Sequence, residues 1–98
     1  MTTDTTGAPT MVARASDAFT IAVDGHVVGH ASFADRDGQR VFLHAEVDEA
    51  YGGRGLATIL VAEALARTRA DGLRIVAVCT FVAAYVDKHR EFDDIVDR

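Results

Sequence analysis

Between Arg40 and Thr68 the apolar side chains change their spacing from every second residue to every third or fourth, and the change falls on Gly52-Gly53-Arg54-Gly55. A strand period giving way to a helix period across glycines specifies a strand, a sharp turn and a helix in succession. The strand spans Arg40 to Val47, with Val41, Leu43, Ala45 and Val47 on one side and Phe42, His44 and Glu46 on the other. Asp48 to Gly53 is the turn. The helix runs from about Arg54 to Ala70 and buries Ala57, Leu60, Val61, Ala64, Leu65 and Thr68, leaving Glu63, Arg67 and Arg69 to water. Gly72 stands where a left-handed C-cap belongs.

The flanking segments extend this unit. Phe19, Ile21 and Val23 alternate with smaller residues, and Asp24-Gly25 suits a two-residue hairpin turn. The return strand, His26 to Ala34, is expected to place Val27, Ala31 and Phe33 on one face. A polar turn, Asp35 to Gly38, leads into the third strand of an antiparallel meander. Leu73 to Val78 is apolar on both faces apart from Arg74, as in a covered strand parallel to Arg40–Val47. Phe81 to Lys88 reads as helix, and Glu91 to Val96 as a short helical piece returning Phe92 and Ile95 to the core. The expected class is a compact mixed α/β (α+β) domain over residues 16–98. The Thr-rich stretch from Met1 to about Arg14 has few large apolar groups and is expected to be a mobile tail.

Ninety-eight residues make one domain with one core. No apolar run reaches the ~20 residues a membrane helix needs, and no leader pattern opens the chain, so a cytoplasmic protein is expected. The single cysteine precludes an internal disulfide, and the histidines lack a zinc-like spacing with it. A net charge of −5 disfavours nucleic acid and mildly favours a cationic partner.

The glycine turn has a chemistry of its own. The first amides of a helix lack internal partners and lie at the positive end of its dipole, and glycines remove the Cβ atoms that would keep an anion away. Gly52, Gly53, Arg54, Gly55, Leu56, Ala57 and Thr58 are therefore candidates to hold a pyrophosphate. Two familiar phosphate loops fit less well. Gly55 is followed by Leu56 and Ala57 rather than Lys and Ser/Thr, and the preceding strands look antiparallel. A turn that uses glycines only to change direction remains the alternative.

The segment Val47-Asp48-Glu49-Ala50-Tyr51-Gly52-Gly53-Arg54-Gly55-Leu56-Ala57 resembles the acyl-CoA-binding motif of the GNAT N-acetyltransferase superfamily, Gln/Arg-x-x-Gly-x-Gly/Ala after a strand. Gly55 and Ala57 take its two small positions, while Gly52 stands where Gln or Arg is usual and Arg54 partly compensates. Together with Glu46-Val47 and the stretch from Cys79 through Tyr85, His89 and Phe92 to Val96, the sequence is similar to the minimal, YjdJ-like GNAT proteins over about Phe19 to Val96. Thr80 and Arg90 replace prolines common in that subgroup. The resemblance implies acetyl-CoA as acyl donor, no metal, and an amine acceptor, either a small molecule or a protein lysine. A binding module that holds CoA without chemistry, or an interaction domain that has kept only the fold, are the other outcomes.

Three residues are catalytic candidates. Cys79 follows the parallel strand and precedes a helix whose N-terminal field stabilises negative charge. It is either a small buried hydrophobe or, as the resemblance implies, a neighbour or transient acceptor of the acetyl group. Glu46 is the candidate base for a protonated amine, with His44 on the same face as its partner, or else an exposed strand residue. Tyr85 falls roughly where the superfamily places a proton donor to the departing thiolate, a position that an amphipathic core tyrosine also suits. Lys88 and His89 read as a solvated helix end.

Overall fold

The computed structural model describes residues 2–97. Seven strands form one sheet in sequence order: β1 (Thr2–Thr3), β2 (Pro9–Arg14), β3 (Ala18–Val23), β4 (His26–Arg36), β5 (Gln39–Val47), β6 (Arg74–Ala77) and β7 (Val96–Asp97). Neighbours from β1 to β5 are antiparallel, and β5–β6 and β6–β7 are parallel. Helix α1 (Leu56–Ala70) crosses from β5 to β6, and α2 (Thr80–Lys88) lies between β6 and β7. The mixed α/β architecture, the meander, the crossover helix and the parallel strand are as the sequence pattern requires.

Both meander turns follow from their residues. Asp24-Gly25 and Asp37-Gly38 all take positive φ, the conformation a two-residue turn needs to match the strand twist. Helix α1 ends at Asp71, and Gly72, at φ +72°, supplies the left-handed step beyond it. Its buried stripe is Leu56, Leu60, Val61, Ala64, Leu65 and Thr68. Leu56, one turn before Leu60 on the same face, is buried in place of the expected Ala57, which is only partly covered. These side chains meet Phe19, Ile21, Ala31, Phe33 and Phe42 from the sheet and Val82 and Val86 from α2 in one apolar cluster.

Two bulges correct the expected strand faces. In β4, Ile21 pairs with Gly29 but Ala22 pairs with Val27, so Val28 is an extra residue. It turns inward, and Val27, expected inside, is exposed. In β5, Ser32 pairs with His44 but Phe33 pairs with Phe42, which makes Leu43 the extra residue. A bulge reverses the alternation beyond it. Arg40 and Phe42 are consequently inside together with Ala45 and Val47, whereas Leu43 faces water.

The chain ends differ from expectation as well. Residues read as a mobile tail form β1 and β2, the latter paired along β3 from Thr10↔Val23 to Arg14↔Phe19. Ladder hydrogen bonds and inward Thr10 and Val12 order a segment that is poor in large apolar groups. Met1 and Arg98 lie outside the described residues. At the other end only Arg90–Phe92 is helical, as a 3-10 turn. Val96 then pairs with Ile75 as a parallel strand, which keeps Phe92 inside by a different route.

Arg40, which the strand pattern left unremarked, is the largest fully buried side chain. Its guanidinium donates to both Asp35 oxygens at 2.8 and 2.9 Å and to Asp71 at 3.0 Å, and lies 4.6 Å from the Phe33 ring centre. It ties the β4–β5 hairpin to the end of α1. Arg40 in turn holds the Asp35 carboxyl below the usual aspartate range, chiefly through the hydrogen bond it donates.

Candidate active site

The site is created where β5 and β6 part. Their parallel pairing ends at Phe42↔Ala77, yet β5 continues to Val47 along β4. At the parting point the Phe42 carbonyl accepts hydrogen bonds from both Val78 N–H (3.0 Å) and Cys79 N–H (2.8 Å). Beyond it the chain after β6 turns into α2, while residues 43–47 keep one edge without a partner strand among the described residues. Five residues at the strand rise make that arm about 17 Å long. The result is a V-shaped opening with Phe42 and Cys79 at its apex and the glycine turn at its mouth.

Asp48 begins the turn by accepting from Ala50 N–H at 3.3 Å, and Glu49–Tyr51 form a single 3-10 turn. Gly53 and Gly55 then take φ of +75° and +73°, a conformation that costs an L-residue with a Cβ about 1–2 kcal/mol. No side chain caps α1, whose first internal bond is Ile59 N–H to the Gly55 carbonyl. The amides of Leu56, Ala57 and Thr58 therefore precede the helical ladder. A Cβ built on Gly53 would meet nothing within 4 Å. Gly52 is extended, at φ −64° and ψ 155°. The Arg54 guanidinium lies 4.9 Å from the Tyr51 ring centre and 3.4 Å from an Asp4 oxygen. Val47 is half-buried at the end of β5 and packs on the core.

Of the catalytic candidates, Glu46 and His44 do stand together, with Nε2 3.2 Å from Oε2 and both side chains more than half exposed. They lie on the sheet face opposite the apolar cluster. His30, missed in the sequence, is the cross-strand partner of Glu46, and its ring centre is 6.2 Å from that of His44. Recognising it required the β4–β5 register, which depends on the Leu43 bulge. A hollow of about 400 Å³ lined by Val27, Val28, Gly29, His30, Glu46 and Asp48 adjoins this group. A larger open groove, about 710 Å³, lies between β2 and α1 and is lined in part by Thr58.

Cys79 is buried at the apex, immediately before α2. Tyr85 is half-buried on α2 with its ring stacked 4.0 Å from that of His89; burial, and secondarily the charge of Glu91, push its hydroxyl above the usual tyrosine value. Among the described residues no hydrogen bond joins Glu46 to Cys79 or Tyr85. Glu46 and Cys79 thus approach the parted strands from opposite sides of the sheet.

Residues 18–95 match the family model described as GCN5-related N-acetyl-transferase. The chain belongs to that family. No curated protein matches the sequence. Among solved structures, a GCN5-like protein of Staphylococcus aureus superposes with a TM-score of 0.69 at 19% identity, covering 89% of this chain and 87% of that one. A ribosomal-protein-alanine N-acetyltransferase from Brucella melitensis biovar Abortus gives 0.57 at 23% identity, over 83% of this chain and 61% of that one. An aminoglycoside acetyltransferase from an uncultured soil metagenomic sample, solved with sisomicin, gives 0.51 at 10% identity, over 87% and 62%. This chain therefore spans about three fifths of the latter two proteins. At these identities the likeness is one of fold. Among the described residues no helix is long and apolar enough to cross a membrane.

Proposed function

We propose that this GNAT-family protein transfers an acetyl group from acetyl-CoA to an amine. The observation that carries the reading is the coincidence of an uncapped, glycine-led helix start with the mouth of the opening between β5 and β6. The pyrophosphate would rest on the amides from Gly53 to Thr58, with Arg54 as the nearby cation. The pantetheine arm would lie along the unpaired edge of residues 43–47, whose length suits an extended chain. That places the thioester near the apex, where the buried Cys79 serves as lining rather than as a freely exposed nucleophile.

The amine would arrive from the open sheet face. An alkylamine is an ammonium ion at neutral pH and attacks only after losing a proton. Glu46, beside His44 on that face and four strand residues from the apex, is the proposed acceptor of that proton, taken through solvent as the ammonium ion enters and before the attack. The nitrogen lone pair then attacks the thioester carbonyl, the C–S bond breaks, the thiolate leaves with a proton for which Tyr85 is the proposed donor, and the second proton released by the acylated nitrogen restores the Tyr85 hydroxyl through solvent. The acceptor is a cationic amine, either a small molecule or a lysine side chain; the net charge of −5 favours its approach. The exposure of Glu46 and His44, both more than half open to solvent, also favours a second reading, in which CoA is held without turnover.

Thiol release from acetyl-CoA, measured against a polyamine, a lysine peptide and an aminoglycoside, separates the two. Amine-dependent release that falls about 10²-fold or more in Glu46→Gln, with unchanged acetyl-CoA affinity, supports transfer with Glu46 as base. Binding without release for every amine selects the non-catalytic reading.

A further inference from the structure

Residues 4–8 form a strap over the glycine turn. The Asp4 side chain is fully shielded from solvent. Its Oδ1 accepts from Thr6 N–H at 2.8 Å, Thr6 Oγ1 at 2.6 Å and Ala8 N–H at 3.0 Å. The strap thus fixes its own carboxylate and leaves Oδ2 directed at the Arg54 guanidinium, 3.4 Å away. Thr5 completes the attachment: its N–H donates to the Arg54 carbonyl at 3.1 Å and its hydroxyl to the Gly53 carbonyl at 3.4 Å. These contacts engage carbonyls of the turn.

Arg54 is thereby held from two sides, by Asp4 and by the Tyr51 ring. A guanidinium has five N–H donors, and a single-oxygen contact of 3.4 Å leaves most of its fork free. Its side chain keeps about a third of its surface exposed.

We propose that the strap belongs to the coenzyme site and that Asp4 is a positioning residue, holding the Arg54 fork for the pyrophosphate of the acyl donor. This rests on the acetyl-CoA reading above. It gives Arg54 the role of the side chain missing at Gly52, and it makes coenzyme affinity depend on residues about fifty positions away in sequence. The sign of the effect is diagnostic. If Asp4 were only a negative charge near an anion site, its neutralisation would tighten coenzyme binding. If it orients Arg54, neutralisation weakens binding.

Asp4→Asn retains an oxygen for the Thr6 and Ala8 donors and places an amide against Arg54, so the loop keeps its bonds while the ion pair is lost. The test is calorimetric titration of wild type, Asp4→Asn, Arg54→Gln and the double variant with CoA, and with acetyl-pantetheine, which lacks the pyrophosphate. Expected are about tenfold weaker CoA binding in each single variant, little further loss in the double, and unchanged acetyl-pantetheine binding. Equal or tighter CoA binding by Asp4→Asn, or equal loss for acetyl-pantetheine, overturns the proposal. Failure of the wild type to bind CoA overturns the functional reading and the strap with it. Thr6→Val, which removes one donor to Asp4 and spares the charge, is the second variant if Asp4→Asn does not fold; it should weaken CoA binding but not acetyl-pantetheine binding, and undiminished CoA affinity counts against the strap. Amide exchange adds a readout independent of substitution: CoA should slow exchange at Thr5, Thr6 and Ala8, and unchanged or faster exchange there contradicts the proposal.

Discussion

At Gly29 a Cβ would stand 2.9 Å from the Glu46 carbonyl oxygen and 3.1 Å from an Ile21 methyl, so the absence of a side chain sets how closely β4 approaches the proposed base. Gly29→Ala is expected to cost about 1–3 kcal/mol by overpacking, and to lower turnover more than coenzyme affinity because it displaces the Glu46 backbone. Chemical denaturation and the kcat-against-KM split check the two parts. Gly53→Ala isolates the other glycine effect. A side chain there meets open space, leaving only the positive φ, for a loss of about 1 kcal/mol in stability on the same denaturation measurement. These two residues show how far sequence reading reached. Gly53, Gly55 and Gly72 were legible because a strand period met a helix period around them. Gly29 was not, because its constraint comes from a neighbouring strand. His30 and Asp4 escaped for the same reason: each has its role through a partner sixteen or more positions away.

At the scale of the element, β5 carries the main departure from the alternation rule. Period two predicts Val41, Leu43, Ala45 and Val47 on one face, and the bulge at Leu43 divides that set. Nothing in the local sequence marks the extra residue, which becomes visible only because Phe33 and Ser32 pair with Phe42 and His44 and leave Leu43 between them. Helix α1 was more legible, since its stripe recurs over the whole of its length and Gly72 marks its end. Leu60→Ala, at a fully buried position of that stripe, is expected to lose about 2–5 kcal/mol in denaturant unfolding. The Arg40 junction makes a separate prediction. Arg40→Ala leaves two carboxylates that are roughly two-fifths exposed and can hydrate, so the loss should lie near the lower end for a broken buried pair, about 3 kcal/mol. The pH dependence follows from Asp35, whose folded-state pKa is depressed below its ordinary 3.8. Its stabilisation is complete above that value and is lost as pH falls through the folded one. Acid unfolding of wild type should therefore steepen below pH 3.8, and Arg40→Ala should lack that component.

For the whole molecule, the sheet grew at both ends beyond what composition predicts. β2 is held by its ladder to β3 and by inward Thr10 and Val12, and residues 4–8 then dock on the glycine turn. A Thr-rich segment reads as tail because apolar burial is the only ordering force visible in composition, whereas hydrogen-bond pairing depends on a partner strand. The fold class was legible because hairpin signals, helix stripe and covered strand agree with one another. The chemistry was less so: Glu46 and His44 were brought together as expected, but Cys79 lies inside the core and Tyr85 against His89. The central claim is that the glycine turn binds the pyrophosphate of acetyl-CoA. Its most direct test is thermal unfolding of the wild-type protein with acetyl-CoA and with acetyl-pantetheine, each at a hundredfold excess over the dissociation constant measured for acetyl-CoA. The account predicts about 2.7 kcal/mol of added stability from acetyl-CoA and much less from acetyl-pantetheine; equal stabilisation by both, or none by either, would contradict it.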